Sequence, residues 1–267
     1  MSKIFEALQR AELTKHDDQP NEQSYVSDEI SMQAGLSEDL VTLKKPGSVA
    51  SEQFRLWRSR ILKPKNGKPQ KTILITSAMQ GEGKTFAACN LAVTVAQGLD
   101  EHCLLIDADL RNPMVHQMFG LEQPERGLST YLEKGEPLEK MLYRTVIPKL
   151  TILPAGVETD TPAELLCSQR MHSLIEEVRD RYHDRRIIFD SAPINFAPET
   201  VVISKGVDAV FLMLLRGSTS REAVNSAMEH FSMDKLRGII FNKDMKVKNC
   251  KRYRYGYGYR SACRTMG

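Results

Sequence analysis

The 267-residue sequence predicts an α/β fold in which a mostly parallel sheet carries helices on both faces. Three observations lead there. From Lys71 onward, short β-rich apolar runs alternate with helical segments; a Gly-rich turn joins the first run to its helix; and Asp residues stand where two later runs end. Runs separated by helices pair in parallel, because the chain must cross back before the next strand begins.

The elements follow in chain order. Over residues 4–13, Ile4, Phe5, Leu8 and Leu13 recur at roughly helical spacing and predict a short amphipathic helix for packing or docking. Residues 15–45 are polar and lack a sustained period, which predicts a flexible linker ended by Pro46 and Gly47. A helix is expected over 51–62, with Phe54, Trp57 and Ile61 on one face and Glu52, Arg55 and Arg58 facing solvent or a partner. Strands are expected at 72–76, 103–106, 150–153, 186–189, 209–215 and 238–241. The organisation is therefore a helix and linker over 1–45, one folded domain over 46–243, and a basic, tyrosine-rich tail over 244–267, expected to be disordered.

Composition narrows the classes. Net charge is +3, but seven Lys and Arg residues follow Asp244 with no acid among them, leaving the rest of the chain at −4. Such a tail attracts nucleic acid, anionic lipid or an acidic protein surface, and charge alone does not choose. Cys89, Cys103, Cys167, Cys250 and Cys263 form no C-x-x-C pair, so neither a zinc site nor a disulfide framework is expected. The longest apolar run, over 207–215, contains Asp208 and is far short of the roughly 20 residues that span a bilayer. Glu6 and Arg10 interrupt the stretch where a secretory signal needs an apolar core, so a cytoplasmic location is expected.

The strongest local signal is Thr72-Ile-Leu-Ile-Thr-Ser-Ala-Met-Gln-Gly81-Glu82-Gly83-Lys84-Thr85 ahead of a helical stretch. A strand, a Gly-rich turn and a helix start aim backbone N–H groups and the positive helix end at one spot, where a phosphate chain can sit. Lys84 reaches the β- and γ-phosphates, and the Thr85 hydroxyl suits Mg²⁺. Ala78 stands where the strict motif has glycine, so the loop is a variant. A second group, Leu104-Leu-Ile-Asp107-Ala-Asp109-Leu-Arg111, puts two carboxylates at a strand end, one able to hold a metal and the other to take a proton; an Asp there is otherwise a helix cap. A third run ends at Asp190, in the form of a Walker B carboxylate. Three such elements in this order predict a P-loop NTPase that uses ATP and Mg²⁺. In the tail, Tyr253, Tyr255, Tyr257 and Tyr259 are spaced by Arg or Gly; they suit a mobile peptide entering an active site, or, in another setting, stacking on RNA bases.

Together these residues resemble the bacterial tyrosine kinase (BY-kinase) family over roughly 51–259, in particular its stand-alone autokinases associated with exopolysaccharide synthesis. Glu52, Arg55 and Arg58 match its E-x-x-R-x-x-R stripe, which in relatives mediates ring-like self-assembly. Lys84 and Thr85 match its Walker A residues, Asp107 and Asp109 its second Walker motif, Asp190 its Walker B, and the terminal tyrosines its autophosphorylation cluster. Arg216-Gly-Ser-Thr219-Ser-Arg221 is a weaker echo.

The resemblance implies an autokinase that transfers the ATP γ-phosphate to its C-terminal tyrosines, in trans within a homo-oligomer, and so regulates exopolysaccharide synthesis or export. It implies catalysis by Lys84, Asp107, Asp109 and Asp190; Mg²⁺ on Thr85, on Asp107 and, through water, on Asp190; and nucleotide contacts from Gly81, Glu82, Gly83, Lys84, Thr85, Phe86 and Asn242. It also implies a separate transmembrane polysaccharide co-polymerase as activator, holding the protein at the inner face of the membrane, and no nucleic-acid partner. Departures are Met79-Gln80 where relatives often have proline, Phe86 for a small hydroxyl residue, Ser191-Ala192 within the usual D-T-P-P, and Glu199 near a frequent Asp. The rivals are a septum-positioning or partitioning ATPase, whose second loop lysine is replaced here by Met79, and a non-catalytic ATP-binding regulator.

Overall fold

The computed structural model describes residues 35–64, 69–181 and 185–243. The predicted helix over 4–13, most of the predicted linker and the tail with Tyr253, Tyr255, Tyr257 and Tyr259 lie outside the described residues.

The chain enters through α1 (Val41–Lys44) and α2 (Val49–Leu62). It continues through β1 (Thr72–Ser77), α3 (Lys84–Ala96), β2 (His102–Ala108), α4 (Val115–Met118), α5 (Leu128–Lys134), β3 (Tyr143–Arg144) and β4 (Leu150–Leu153). Then come α6 (Pro162–Leu166), α7 (Gln169–Arg181), β5 (Arg185–Ser191), α8 (Pro198–Gly206), β6 (Ala209–Leu215), α9 (Arg221–Glu229) and β7 (Leu236–Asn242). The strands form one seven-stranded sheet in the order β3-β4-β2-β5-β1-β6-β7. Every pair is parallel except β3 with β4.

All six expected strands are present, and the central ones are buried along their whole length, as strands covered on both faces must be. Side-chain alternation splits β1 between two cores. Ile73 and Ile75 join Phe54, Trp57 and Leu91 on the face covered by α2 and α3, whereas Leu74 joins Leu174 and Ile203 on the face covered by α7 and α8. The two-residue β3 was not expected; it is an antiparallel edge whose pairing is set by β4 rather than by its own sequence.

The stretch before Pro46 departs from its linker reading. Leu40 is fully buried, and the Thr42 N–H and hydroxyl both donate to Asn90 Oδ1 at 3.0 Å. The Asn90 amide answers by donating to the Asp39 carbonyl at 2.8 Å, so this one α3 side chain holds the strap by both its oxygen and its nitrogen. Leu36, Leu40 and Leu43 carry helical spacing that the surrounding polar residues dilute below notice.

Helix α2 begins where Ser48 accepts the Ser51 N–H in a side-chain cap, and it buries Phe54, Trp57 and Ile61 as expected. Among the described residues, no helix is long and apolar enough to cross a membrane.

Candidate active site

Strand order reverses direction around β1 and β5, and the carboxyl ends of β1, β5 and β2 therefore open side by side. Asp107 and Asp190 sit on these ends, Asp109 just past the end of β2, and the loop with Lys84 and Thr85 follows β1. After β1 the chain turns through Gly81 (φ 80°) and Gly83 (φ 90°), both in the left-handed region that favours glycine. Gly83 is needed twice over, since a Cβ there would lie 2.1 Å from Asn242 Nδ2. Gly83 also caps α3, and the Ala87 N–H closes the first turn on its carbonyl at 2.9 Å. The loop and helix start thus form the anion-binding arrangement expected of a P-loop.

Lys84 is 7% exposed, and its Nζ lies 2.8 Å from Asp109 Oδ2. The other Asp109 oxygen accepts the Asn112 N–H at 3.1 Å. Asp107 accepts the Asp109 N–H at 3.2 Å and the Val115 N–H at 3.0 Å, one on each oxygen, and so shapes the loop that carries Asp109. Asp107 and Asp190 are register partners on neighbouring strands.

This packing of carboxylates has electrostatic consequences. Burial and then the Asp190 charge push Asp107 well above the usual carboxylate range, against the pull of the Val115 and Asp109 N–H groups. Burial pushes Asp190 up to about 7, against the Lys84 ammonium. Burial alone works against the Lys84 charge, but Asp190, Asp109 and Asp107 outweigh it and hold the ammonium above its ordinary value.

The Thr85 hydroxyl faces Asp190, yet neither Asp190 oxygen has a hydrogen-bond partner of ordinary geometry. A buried carboxylate with two orphaned oxygens, beside a hydroxyl and a phosphate-type loop, suits a hard cation that brings its own phosphate and water ligands. The residues therefore fit Mg²⁺, with Thr85 and Asp190 nearest the role and Asp107 keeping a second lone pair on each oxygen.

Other expected residues take different positions. The Glu82 side chain turns away from the loop's mouth, so only its backbone N–H is placed to meet a phosphate. The Phe86 ring packs edge-on against Phe54, with centroids 5.9 Å apart, and leaves its backbone in the first turn of α3. Asn242 lies behind the loop and donates to the Glu82 carbonyl at 3.0 Å. On α2, Glu52 and Arg55 pair on the exposed surface, while Arg58 reaches back to donate to the Thr94 carbonyl at 2.8 Å.

Sequence reasoning passed over one pair and gave another residue no role. Arg111 Nε donates at 2.6 Å to Glu199, a carboxylate only 1% exposed in the first turn of α8. Thr219 bonds to Glu82 across the loop after β6. Arg111 stands in the D-x-D-x-R run and Thr219 in the Arg216–Arg221 echo, so both lay in noted segments, but their partners are far away in sequence.

No family model matches the chain. The tyrosine-protein kinase YwqD of Bacillus subtilis (strain 168) is 35% identical over 224 residues, which make up 83% of this chain and 92% of that protein. The chain belongs to the bacterial tyrosine kinases. The kinase domain of the Escherichia coli tyrosine kinase ETK superposes on this kinase with a TM-score of 0.70 at 27% identity, over 82% of this chain and 84% of that one. The septum site-determining protein MinD of Pyrococcus horikoshii OT3, solved with Mg-ADP, shares the fold at a TM-score of 0.50 and 20% identity. The P-loop α/β architecture is thus common to both groups, and the sequence kinship lies with the kinases.

Proposed function

We propose that this tyrosine kinase transfers the γ-phosphoryl group of ATP to tyrosines of its own C-terminal cluster, Tyr253, Tyr255, Tyr257 and Tyr259, on a neighbouring copy within a ring-like oligomer. The observation that carries the reading is the Lys84 ammonium, 2.8 Å from Asp109 and flanked by Asp107 and Asp190 at the mouth of the P-loop.

In the transfer, a phenol oxygen forms a bond to the γ-phosphorus while the bridging bond to the β-phosphate breaks, and ADP leaves. The phenol, with a pKa near 10, loses its proton to Asp109, whose position is held by Asn112 and by the Asp107 carboxylate beneath it. Lys84 stays protonated and can swing from Asp109 to the phosphates, carrying its charge to where negative charge develops. Backbone N–H groups from Gly81 to Thr85 orient the phosphate chain, Phe86 adds its N–H in place of a hydroxyl, and Asn242, which supports the loop by donating to the Glu82 carbonyl, reads the nucleotide base. Thr85 and Asp107 would hold Mg²⁺, with Asp190 acting through water, and the ion when bound would supply charge neutralisation on the triphosphate.

The described chain ends beside the P-loop, where Asn242 donates to the Glu82 carbonyl, and Tyr253 follows Asn242 by eleven residues in sequence. Eleven residues span up to roughly 40 Å, enough to reach either its own site or a neighbour's. The exposed Glu52–Arg55 pair on α2, within the E-x-x-R-x-x-R stripe, favours a neighbour brought close by assembly. A polysaccharide co-polymerase in the membrane would then be the activator, exopolysaccharide synthesis or export the regulated process, and the inner face of the membrane the place of action.

A mixing experiment tests the transfer route. Full-length Lys84→Ala protein is incubated with an active, tail-truncated chain and labelled ATP. Label on the inactive partner's tail supports transfer between copies; label only when tail and Lys84 share a chain puts transfer within one molecule.

A further inference from the structure

Glu82 is the one acidic residue in the Gly-rich loop, and a carboxylate beside a triphosphate repels it. The structure resolves this conflict by turning the side chain inward, where Glu82 is only 2% exposed. One oxygen, Oε2, accepts the Met79 N–H at 2.8 Å. The other, Oε1, accepts the Thr219 hydroxyl and, at 3.4 Å, the Leu215 N–H. Thr219 Oγ1 also accepts the Leu215 N–H at 2.9 Å, so hydroxyl, carboxylate and amide close a small, partly buried circuit. The Glu82 carbonyl takes the Asn242 amide at 3.0 Å. Three segments distant in sequence, the P-loop, the turn after β6 and the end of β7, meet at this one residue.

We infer that Glu82 and Thr219 are positioning residues for the nucleotide. Glu82 holds the front of the loop through the Met79 amide, and Thr219 anchors Glu82 to the end of β6. The strand end thereby sets the loop's shape before a phosphate arrives, and both side chains act through the loop's backbone N–H groups and Lys84 rather than by touching the nucleotide themselves. Loss of either leaves the phosphate cradle to be ordered at the expense of binding. The same circuit explains why a carboxylate is tolerated in a phosphate loop, since its oxygens are occupied by donors from the protein itself. The inference rests on the reading that this loop binds ATP.

The test uses the full chain with Mg²⁺ and a fluorescent ATP analogue, whose Kd is read directly, alongside autophosphorylation at saturating ATP and thermal melting. Glu82→Ala and Thr219→Val are expected to weaken nucleotide binding about tenfold, as for loss of a buried charge-assisted hydrogen bond, while the rate at saturation falls less than about threefold. Thr219→Ser, which keeps the hydroxyl, should bind within about twofold of the unmodified protein. The double variant should bind no more weakly than Glu82→Ala alone, because both changes break one circuit. If Glu82→Ala fails to fold, Glu82→Gln and the two Thr219 variants carry the comparison. Unchanged affinity with a lowered melting temperature in Thr219→Val and Glu82→Gln would overturn the inference and leave a merely structural circuit; so would a Thr219→Ser protein as weak as Thr219→Val. Failure of the unmodified protein to bind the analogue would sink the ATP reading itself, and the inference with it.

Discussion

At the scale of single residues, the site is a cluster of buried carboxylates kept in balance by one ammonium. Asp109 makes a direct ion pair with Lys84, whereas neither Asp190 oxygen has a hydrogen-bond partner of ordinary geometry and burial shifts this carboxyl up to about 7. The sign of its pH effect follows. An unfolded Asp titrates near 3.8, so from about pH 4 to 7 the folded chain binds the extra proton, and rising pH through that window removes stability. The melting temperature of the nucleotide-free protein should therefore carry a downward component between about pH 4 and 7 that Asp190→Asn reduces, with buried Asp107 contributing in the same direction; an identical slope in both proteins would refute the assignment. Asp109→Asn keeps the shape and loses the proton acceptor, so kcat should drop by roughly 10² to 10⁴ with little change in ATP affinity, as single-turnover kinetics and direct binding can show. Lys84, Asp107, Asp109 and Asp190 were legible because each sits at a fixed offset from a strand end. The destination of Glu82 was not, because Thr219 is 137 positions away. Nor was the Arg111–Glu199 pair, whose members are 88 apart.

At the scale of elements, an aromatic cluster fastens α2 over the nucleotide helix. Phe54 stacks near Trp57 at 6.0 Å and meets Phe86 edge-on, while Trp57 meets Phe211 of β6 at 5.1 Å. Phe86, a departure from the small hydroxyl residue of its relatives, thus fills the space between the E-x-x-R-x-x-R helix and the helix that begins with Lys84. Trp57 is 7% exposed, and its Nε1 has no hydrogen-bond partner, so its contribution is apolar packing. Trp57→Ala should destabilise the domain by about 3 to 5 kcal/mol and Trp57→Phe by much less, read from denaturant midpoints at constant m; equal losses would place the stabilisation elsewhere. The strands and α2 were legible because their apolar periods are long and clean. The strap over 36–45 and β3 were not: the first depends on the Asn90 amide for its hold, and the second is two residues paired at a sheet edge.

At the scale of the whole molecule, the strand order brings the ends of β1, β2 and β5 together, and the catalytic groups proposed here lie on those ends or in the segments that leave them. The parallel sheet was legible from the alternation of apolar runs and helices, but the neighbour relations were not, since β1 pairs with β5 and β6, strands more than a hundred residues later. The central claim, a P-loop site that phosphorylates the chain's own tyrosine cluster, is tested most directly by labelled ATP and Mg²⁺ with the intact protein, followed by mapping of the label. Label is expected on the peptide bearing Tyr253 to Tyr259, absent without Mg²⁺ and absent in Lys84→Ala. Release of free phosphate with an unlabelled tail, or undiminished tail label in Lys84→Ala, would contradict it.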